Sequence, residues 1–153
     1  NMTATLMKTM KTSGVDLPVV AYNPIGDWSI LSMGGDELNG LLCPCPKVLA
    51  AGSLPDTDPQ QTVVNDFCAR YEAEFGHVPG AVASLVPDMI WTISEALKVS
   101  GPDRVKLRDA IAATTDLVGT SAVRTISLPD NSGAQPGCFV GMEIVDMQWQ
   151  LMK

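Results

Sequence analysis

The stretch from Leu17 to Pro46 limits what this chain can fold into more than any other, because its apolar runs and turn residues come in a fixed order. Leu17-Pro18-Val19-Val20-Ala21-Tyr22 is a short apolar run with β-branched valines, bounded by Pro and Asn, and it predicts a buried strand of about five residues. Asn23-Pro24-Ile25-Gly26-Asp27 reads as a turn. Trp28-Ser29-Ile30-Leu31-Ser32-Met33 then reads as a short helix, with Asp27 placed to accept its first free amide hydrogens. After a break at Gly34-Gly35, Gly40-Leu41-Leu42-Cys43 reads as a second buried strand. Strand, helix and strand in this order predict an α/β fold with a parallel, doubly wound sheet in which 18–22 and 40–43 are neighbours. Ligands of such sheets collect beyond the carboxyl ends of the strands, which here means the loop from Tyr22 to Trp28.

The flanking segments supply helices. Met2, Leu6 and Met10 stand at i, i+4 and i+8, which predicts an amphipathic helix over 1–13 that stops at Gly14. Met2, Met7, Met10 and Met33 read as core packing rather than as an adaptable binding surface. After a Pro-, Gly- and Asp-rich loop from Lys47, Asp58-Pro59 opens a helix whose apolar face is Val63, Val64, Phe67, Cys68, Tyr71 and Phe75, with Gly76 as its stop. A third helix over 87–100 is predicted to pack through Met89, Ile90, Ile93, Ala96 and Leu97, and a fourth runs from Asp103 to about Thr115. Residues 122–128, 138–145 and 147–152 read as strands separated by turns.

Composition and missing motifs exclude several functions. The 153 residues are 46% apolar, enough for one modest core, and the net charge is −7 with no basic run, so no nucleic-acid partner is expected. No apolar stretch approaches the roughly 18 to 20 residues needed to span a bilayer, and no basic segment followed by an apolar core opens the chain. Its first residues already read as helix, so a piece of something longer is expected. The single His, His77, sits in a Gly-His-Val-Pro turn with no acidic neighbour to orient it, and no Gly-rich phosphate loop is present, so no enzyme activity and no cofactor are predicted. Cys43-Pro44-Cys45 would put two sulfurs on one face of a strand, but no further Cys pair or His follows at a zinc-like spacing, and no metal is expected. Cys68 and Cys138 read as core thiols, with their pairing left open.

These motifs, in this order, resemble the extracytoplasmic solute-binding proteins of branched-chain amino-acid type ABC transporters, the type I periplasmic binding proteins. The resemblance rests on the helix and strand before Tyr22, on Asn39-Gly40-Leu41-Leu42, and on the Pro46-Lys47-Val48-Leu49 to Leu54-Pro55-Asp56 loop. It continues through Asp58-Pro59 and the Phe67/Tyr71/Phe75-Gly76 helix, Val86-Pro87-Asp88, Leu107-Arg108-Asp109-Ala110-Ile111 and Val118-Gly119-Thr120. It implies the C-terminal portion of a two-lobed protein: residues 1–80 in the second lobe, 81–137 crossing back to the first, and 138–153 as terminal strands near the hinge and second lobe. It also implies a periplasmic location, a small-molecule ligand, a membrane permease of an ABC transporter as partner, and a missing N-terminal portion of the same protein. The ligand contact of the family falls on Asn23, flanked by Tyr22, with Asp27 and Trp28 in the same loop and Pro87 at the start of the crossing helix. Amino-acid binders often keep an acidic residue where Asn23 stands, so the neutral amide implies a preference for an apolar or aromatic carboxylate, with a branched-chain-type amino acid as the other ligand class. A ligand-sensing domain on the same fold is the alternative.

Overall fold

Helix α1, Met2–Thr12, opens the fold in a computed structural model that describes residues 2–152, with the side chain of Asn23 outside the description. Its packed face is not the predicted one. Ala4 and Met7 are buried and Met10 is half-buried, while Met2 and Leu6 point outward. The small Ala4 lets α1 lie close to the helical turn at Gly35–Leu38, which a stripe centred on Leu6 would not. Met33, like Met2, is exposed, so only part of the methionine set is core.

Strand β1 is Val19–Val20, and a 3-10 turn at Asn23–Ile25 leads into α2, Trp28–Gly34. Asp27 caps that helix as its sequence position suggests: its Oδ1 accepts from Ser29 N at 2.9 Å. Strand β2, Leu41–Pro46, runs parallel to β1 with Val19 opposite Leu41 and Val20 opposite Leu42, the neighbourhood expected from the strand-helix-strand order. It is longer than predicted because its two prolines do no harm. Leu42 turns its backbone toward β1, its O accepting from Ala21 N at 2.8 Å. Alternation puts Pro44 and Pro46 on that same edge, beyond the end of β1, where no ladder amide is needed.

A 3-10 turn at Lys47–Ala50 precedes α3, Gln61–Phe75, which Gly76 ends at φ 72°. The regular helix starts after the predicted Asp58-Pro59 opening: Asp58 Oδ1 accepts from Gln60 N at 2.9 Å as a cap does, but Asp58 O accepts from Gln61 N at 3.0 Å in a tight turn that precedes the first α-helical bond, Val64 N to Gln60 O at 2.9 Å. A further 3-10 turn, Ala81–Ser84, leads to α4, Leu85–Ser100, and α5, Arg104–Ala112, whose Asp103 cap accepts from Val105 N and Lys106 N at 2.9 Å. The region expected as one strand at 122–128 is instead half of a short antiparallel pair, β3 at Leu117–Val118 and β4 at Val123–Arg124. Strands β5, Phe139–Val145, and β6, Gln148–Leu151, form a hairpin through Asp146 and Met147 at φ 49° and 62°.

The main sheet has the order β1-β2-β5-β6. Thus the α/β class holds, with the parallel β1-β2 pair joined on its other side by two antiparallel strands from the end of the chain. Leu41, Cys43 and Cys45 of β2 face the core with Met142 and Ile144 of β5 and Trp149 of β6, and Ile30, Leu31, Leu38, Val64 and Cys68 pack among them. From 81 to 137 the burial is of another kind. Among the described residues, the buried apolar side chains there are alanines, Ala81, Ala96 and Ala122. Contrary to the predicted stripe, Met89, Ile90, Ile93 and Leu97 face outward, and α4 turns Asp88, Thr92 and Ala96 inward.

Candidate functional site

The loop from Tyr22 to Trp28 is fixed by its own turns and by one neighbour. Ile25 N donates to Tyr22 O at 3.1 Å, Asp27 N to Ile25 O at 2.7 Å, and Gly26 O accepts from Ala81 N at 2.7 Å. Glycine makes this approach possible on both sides. A Cβ at Gly26 would lie 2.8 Å from Leu49 Cδ1 and 2.9 Å from Cys45 Sγ, and one at Gly80 would overlap the Asp27 carboxylate. Gly26 and Asp27 are therefore wedged against Gly80 and Ala81, where the chain leaves α3 and its following turn for α4.

Of the sequence-predicted residues, Asp27 is part of this wedge, Tyr22, Asn23 and Trp28 stand along the same stretch of chain, and Pro87 stands in α4. Tyr22 is 75% exposed and Trp28 39%, both on the open side of the loop. Asp27 is half-buried and spends its Oδ1 on the α2 cap. Asn23 lies in the 3-10 turn, its side chain outside the described residues. Pro87 sits half-buried in the first turn of α4, where a helix has no use for its missing amide hydrogen. His77 is exposed in its turn, its ring edge against Tyr71 at 5.5 Å between centroids.

A polar relay that sequence reasoning did not single out runs beside this loop. Lys47 Nζ lies 2.7 Å from Asp58 Oδ2, with the two side chains 7% and 13% exposed. Asp58 Oδ1 accepts from Gln60 N at 2.9 Å, and Gln60 Nε2 donates to Gly119 O at 2.9 Å. The next residues cradle Asp88, which is 3% exposed. Its Oδ1 accepts from Thr120 N at 2.6 Å, and its Oδ2 accepts from Ser121 N at 2.9 Å, Ser121 Oγ at 2.6 Å and Ala122 N at 3.3 Å. A carboxylate in this position satisfies a turn's amides as an N-cap does, and it needs no cation. No local signal marks this cradle in the sequence: Asp88 reads as an ordinary acidic residue in the first turn of a helix, and its backbone donors lie 32 to 34 residues further on.

The Cys43 and Cys45 sulfurs do share one face, 3.2 Å apart. The Cys45 thiol donates, which holds Cys43 below the usual thiol range and, with burial, pushes Cys45 up. All four cysteines are free and buried. Among the described residues no group of three or more His, Cys, Asp or Glu side chains is placed to hold a metal ion.

No protein-family model matches the sequence, and no curated protein does. Solved structures match it closely in shape. An extracellular ligand-binding receptor from Rhodopseudomonas palustris superposes with a TM-score of 0.84 at 15% identity over 98% of this chain. A leucine-binding protein from Thermotoga maritima gives 0.80 at 20% over 98%, and a type 1 periplasmic binding protein from Bordetella pertussis gives 0.77 at 19% over 97%. The fold is that of the type I periplasmic binding proteins. Of that fold this chain spans less than half: it covers 44%, 40% and 42% of the three structures. All three are described as receptors or binding proteins rather than enzymes. Among the described residues no helix is long and apolar enough to cross a membrane.

Proposed function

We propose that this chain is part of the solute-binding component of an ABC transporter, a periplasmic protein that closes two lobes on a small organic solute and delivers it to a membrane permease. Residues 1–80 and the terminal strands from 138 belong to the second lobe and hinge, and 81–137 to the first. The observation that carries this reading is the wedge of Gly26 and Asp27 against Gly80 and Ala81. It holds the Tyr22–Trp28 loop at the carboxyl end of β1 and beside the passage to α4, where a ligand between two bodies would touch both. Ligand contacts made in the closed state alone would then shift the population toward closure.

The ligand class follows from Asn23. A neutral amide where amino-acid binders keep a carboxylate leaves a buried ammonium without a charge partner, a loss on the order of a few kcal/mol. An apolar or aromatic carboxylate loses nothing there. Calorimetric titration of the full-length protein with leucine and with 4-methylpentanoate tests this. The acid should bind more tightly, and Asn23→Glu should reverse the order. Tighter binding of leucine by the unmodified protein would overturn the ligand class, and failure to bind any of a panel of amino and carboxylic acids would overturn the binding function.

A further inference from the structure

Cys43 and Cys45 take no part in the binding reading above. Strand alternation puts both side chains on the core face of β2, where they are 1% and 0% exposed, and turns Pro44 between them outward. The Cys45 thiol donates to Cys43 Sγ at 3.2 Å, and the Cys43 thiol donates to Pro44 O at 3.7 Å. Cys68, by contrast, gives its thiol to a carbonyl oxygen, Val48 O at 3.7 Å. The loop from Tyr22 to Trp28 rests on the pair. A Cβ at Gly26 would lie 2.9 Å from Cys45 Sγ, so this sulfur fills the space beneath Gly26. Two sulfurs therefore touch on one strand face, directly under the segment that carries the candidate site.

We propose that Cys43 and Cys45 form a reversible disulfide by exchange with a small-molecule disulfide, and that this bond loosens the seat of the Tyr22–Trp28 loop. One cysteine thiolate attacks the small disulfide RSSR, which gives a mixed disulfide and releases one thiolate. The second cysteine sulfur then attacks the first, breaks the mixed disulfide and releases the other. Two protein thiols are oxidised, RSSR is reduced to two RSH, and the two cysteine protons end on the released thiolates. The hydrogen bond from Cys45 stabilises negative charge on Cys43 and makes it the first nucleophile. Both sulfurs are buried, so exchange takes place before the loop settles on Cys45. The bond is a strained one. Alternate residues of a strand have Cα atoms roughly 6.5 Å apart, near the upper limit of a disulfide, so β2 must shorten by up to about 1 Å. Pro44 is where it can give, since it has no amide hydrogen to lose and stands beyond the end of β1. Strain keeps the bond reducible, unlike a permanent structural crosslink. The same shortening draws the Cys45 sulfur out from under Gly26, whose carbonyl accepts from Ala81 N at 2.7 Å. The periplasmic location proposed above is an oxidising one, but the exchange itself rests only on the geometry of the pair.

Refolding through glutathione tests it. The full-length protein is unfolded in urea and refolded in buffers of stepped reduced-to-oxidised glutathione ratio, so that burial does not limit access. Each sample is quenched with acid, labelled with N-ethylmaleimide in urea and cut with trypsin. Residues 12–47 hold no Lys or Arg before Lys47 and no cysteine besides Cys43 and Cys45, so both sulfurs report in one peptide. The expected outcome is a passage from the doubly labelled peptide to an unlabelled one lighter by two hydrogens, without a glutathione adduct, and a return when the ratio is reversed. Two free thiols at every ratio, or a peptide that carries glutathione, would overturn the bond. Cys45→Ser should instead accumulate a glutathione adduct on Cys43, and a Cys43 left free in that variant would overturn its assignment as the attacking sulfur. Hydrogen exchange then follows the loop. The Asp27 and Ala81 amides should exchange about tenfold or more faster in the bridged protein, with the Thr120 and Ser121 amides unchanged. A bridged protein that protects Asp27 and Ala81 as well as the reduced one would overturn the effect on the loop.

Discussion

Replacing Asp88 is the sharpest perturbation this structure offers. The carboxylate takes three backbone amides and the Ser121 hydroxyl within 2.6–3.3 Å, and Thr120 Oγ1 sits 2.9 Å from Oδ1. In Asp88→Asn the best placement keeps the oxygen at the Oδ2 position, where three donors converge. The amide nitrogen then faces Thr120 N, donor against donor, in a site that water does not reach. One orphaned buried amide costs about 1–3 kcal/mol, and the remaining bonds lose their charge assistance, so a total near 3 kcal/mol is expected. Asp88→Ala orphans the whole set and should cost about 4–5 kcal/mol, at the high end for a single substitution. Urea unfolding followed by tryptophan fluorescence, with Trp91 on α4 itself, measures the loss. Hydrogen exchange should localise it, with the Thr120, Ser121 and Ala122 amides losing protection first. An Asp88→Asn protein within about 0.5 kcal/mol of the original would refute this account of the turn.

Gly80 lies at φ −80° and ψ 170°, which any residue adopts, so Gly80→Ala acts through the clash with Asp27 alone. A loss of about 1–3 kcal/mol in thermal unfolding is expected, and an unchanged midpoint would show that the wedge is slack. Lys47→Met leaves Asp58 buried without its cation and should cost about 3–5 kcal/mol, whereas the double change with Asp58→Leu should recover most of it; a single variant as stable as the original would remove the ion pair from the argument. The Cys68 thiol is pushed up to about 11, by burial first and the Glu72 charge second. The folded chain thus holds a proton that the unfolded chain releases near 9.0, and this contribution is complete below about pH 9 and lost as pH rises toward 11. Stability should fall across that window more steeply for the original than for Cys68→Ala, and parallel curves would sink the idea.

Sequence reading succeeded where a local rule decides the outcome. The β1-β2 neighbourhood follows from two apolar runs joined through a helix, the start of α2 from Asp27, and the end of α3 from Gly76. It failed where a partner lies far off in the chain. Lys47 and Asp58 close an ion pair across a loop that reads only as polar, and Gln60 reaches a carbonyl 59 residues away. The orientation of α4 failed for a third reason. Periodicity identifies an apolar face but assumes that the piece in hand buries it, and here Asp88 turns the polar face inward while the apolar one points out. In the site, the loop was legible from strand order, but the glycine wedge that positions it was not, because Gly80 is ordinary until Asp27 is set against it.

The two parts of the chain are held by different forces. The sheet and its helices share a dense core of Leu, Ile, Val, Met and Cys side chains, which resists separation without fixing direction. From Leu85 to Gln135 the ties are directional instead. Asp88 binds α4 to the 119–122 turn through an array that a rotation would have to break all at once. Thr120 Oγ1 to Ser84 O at 2.6 Å ties the same turn to the residue before α4, whereas the bond from this unit back to the sheet side, Gln60 Nε2 to Gly119 O at 2.9 Å, is neutral. At about 1 kcal/mol, such a bond can be exchanged for water far more cheaply than the Asp88 array. For the closure proposed above, the tie that costs least to break is therefore the Gln60–Gly119 bond, with α4 and its turn kept together by the Asp88 array.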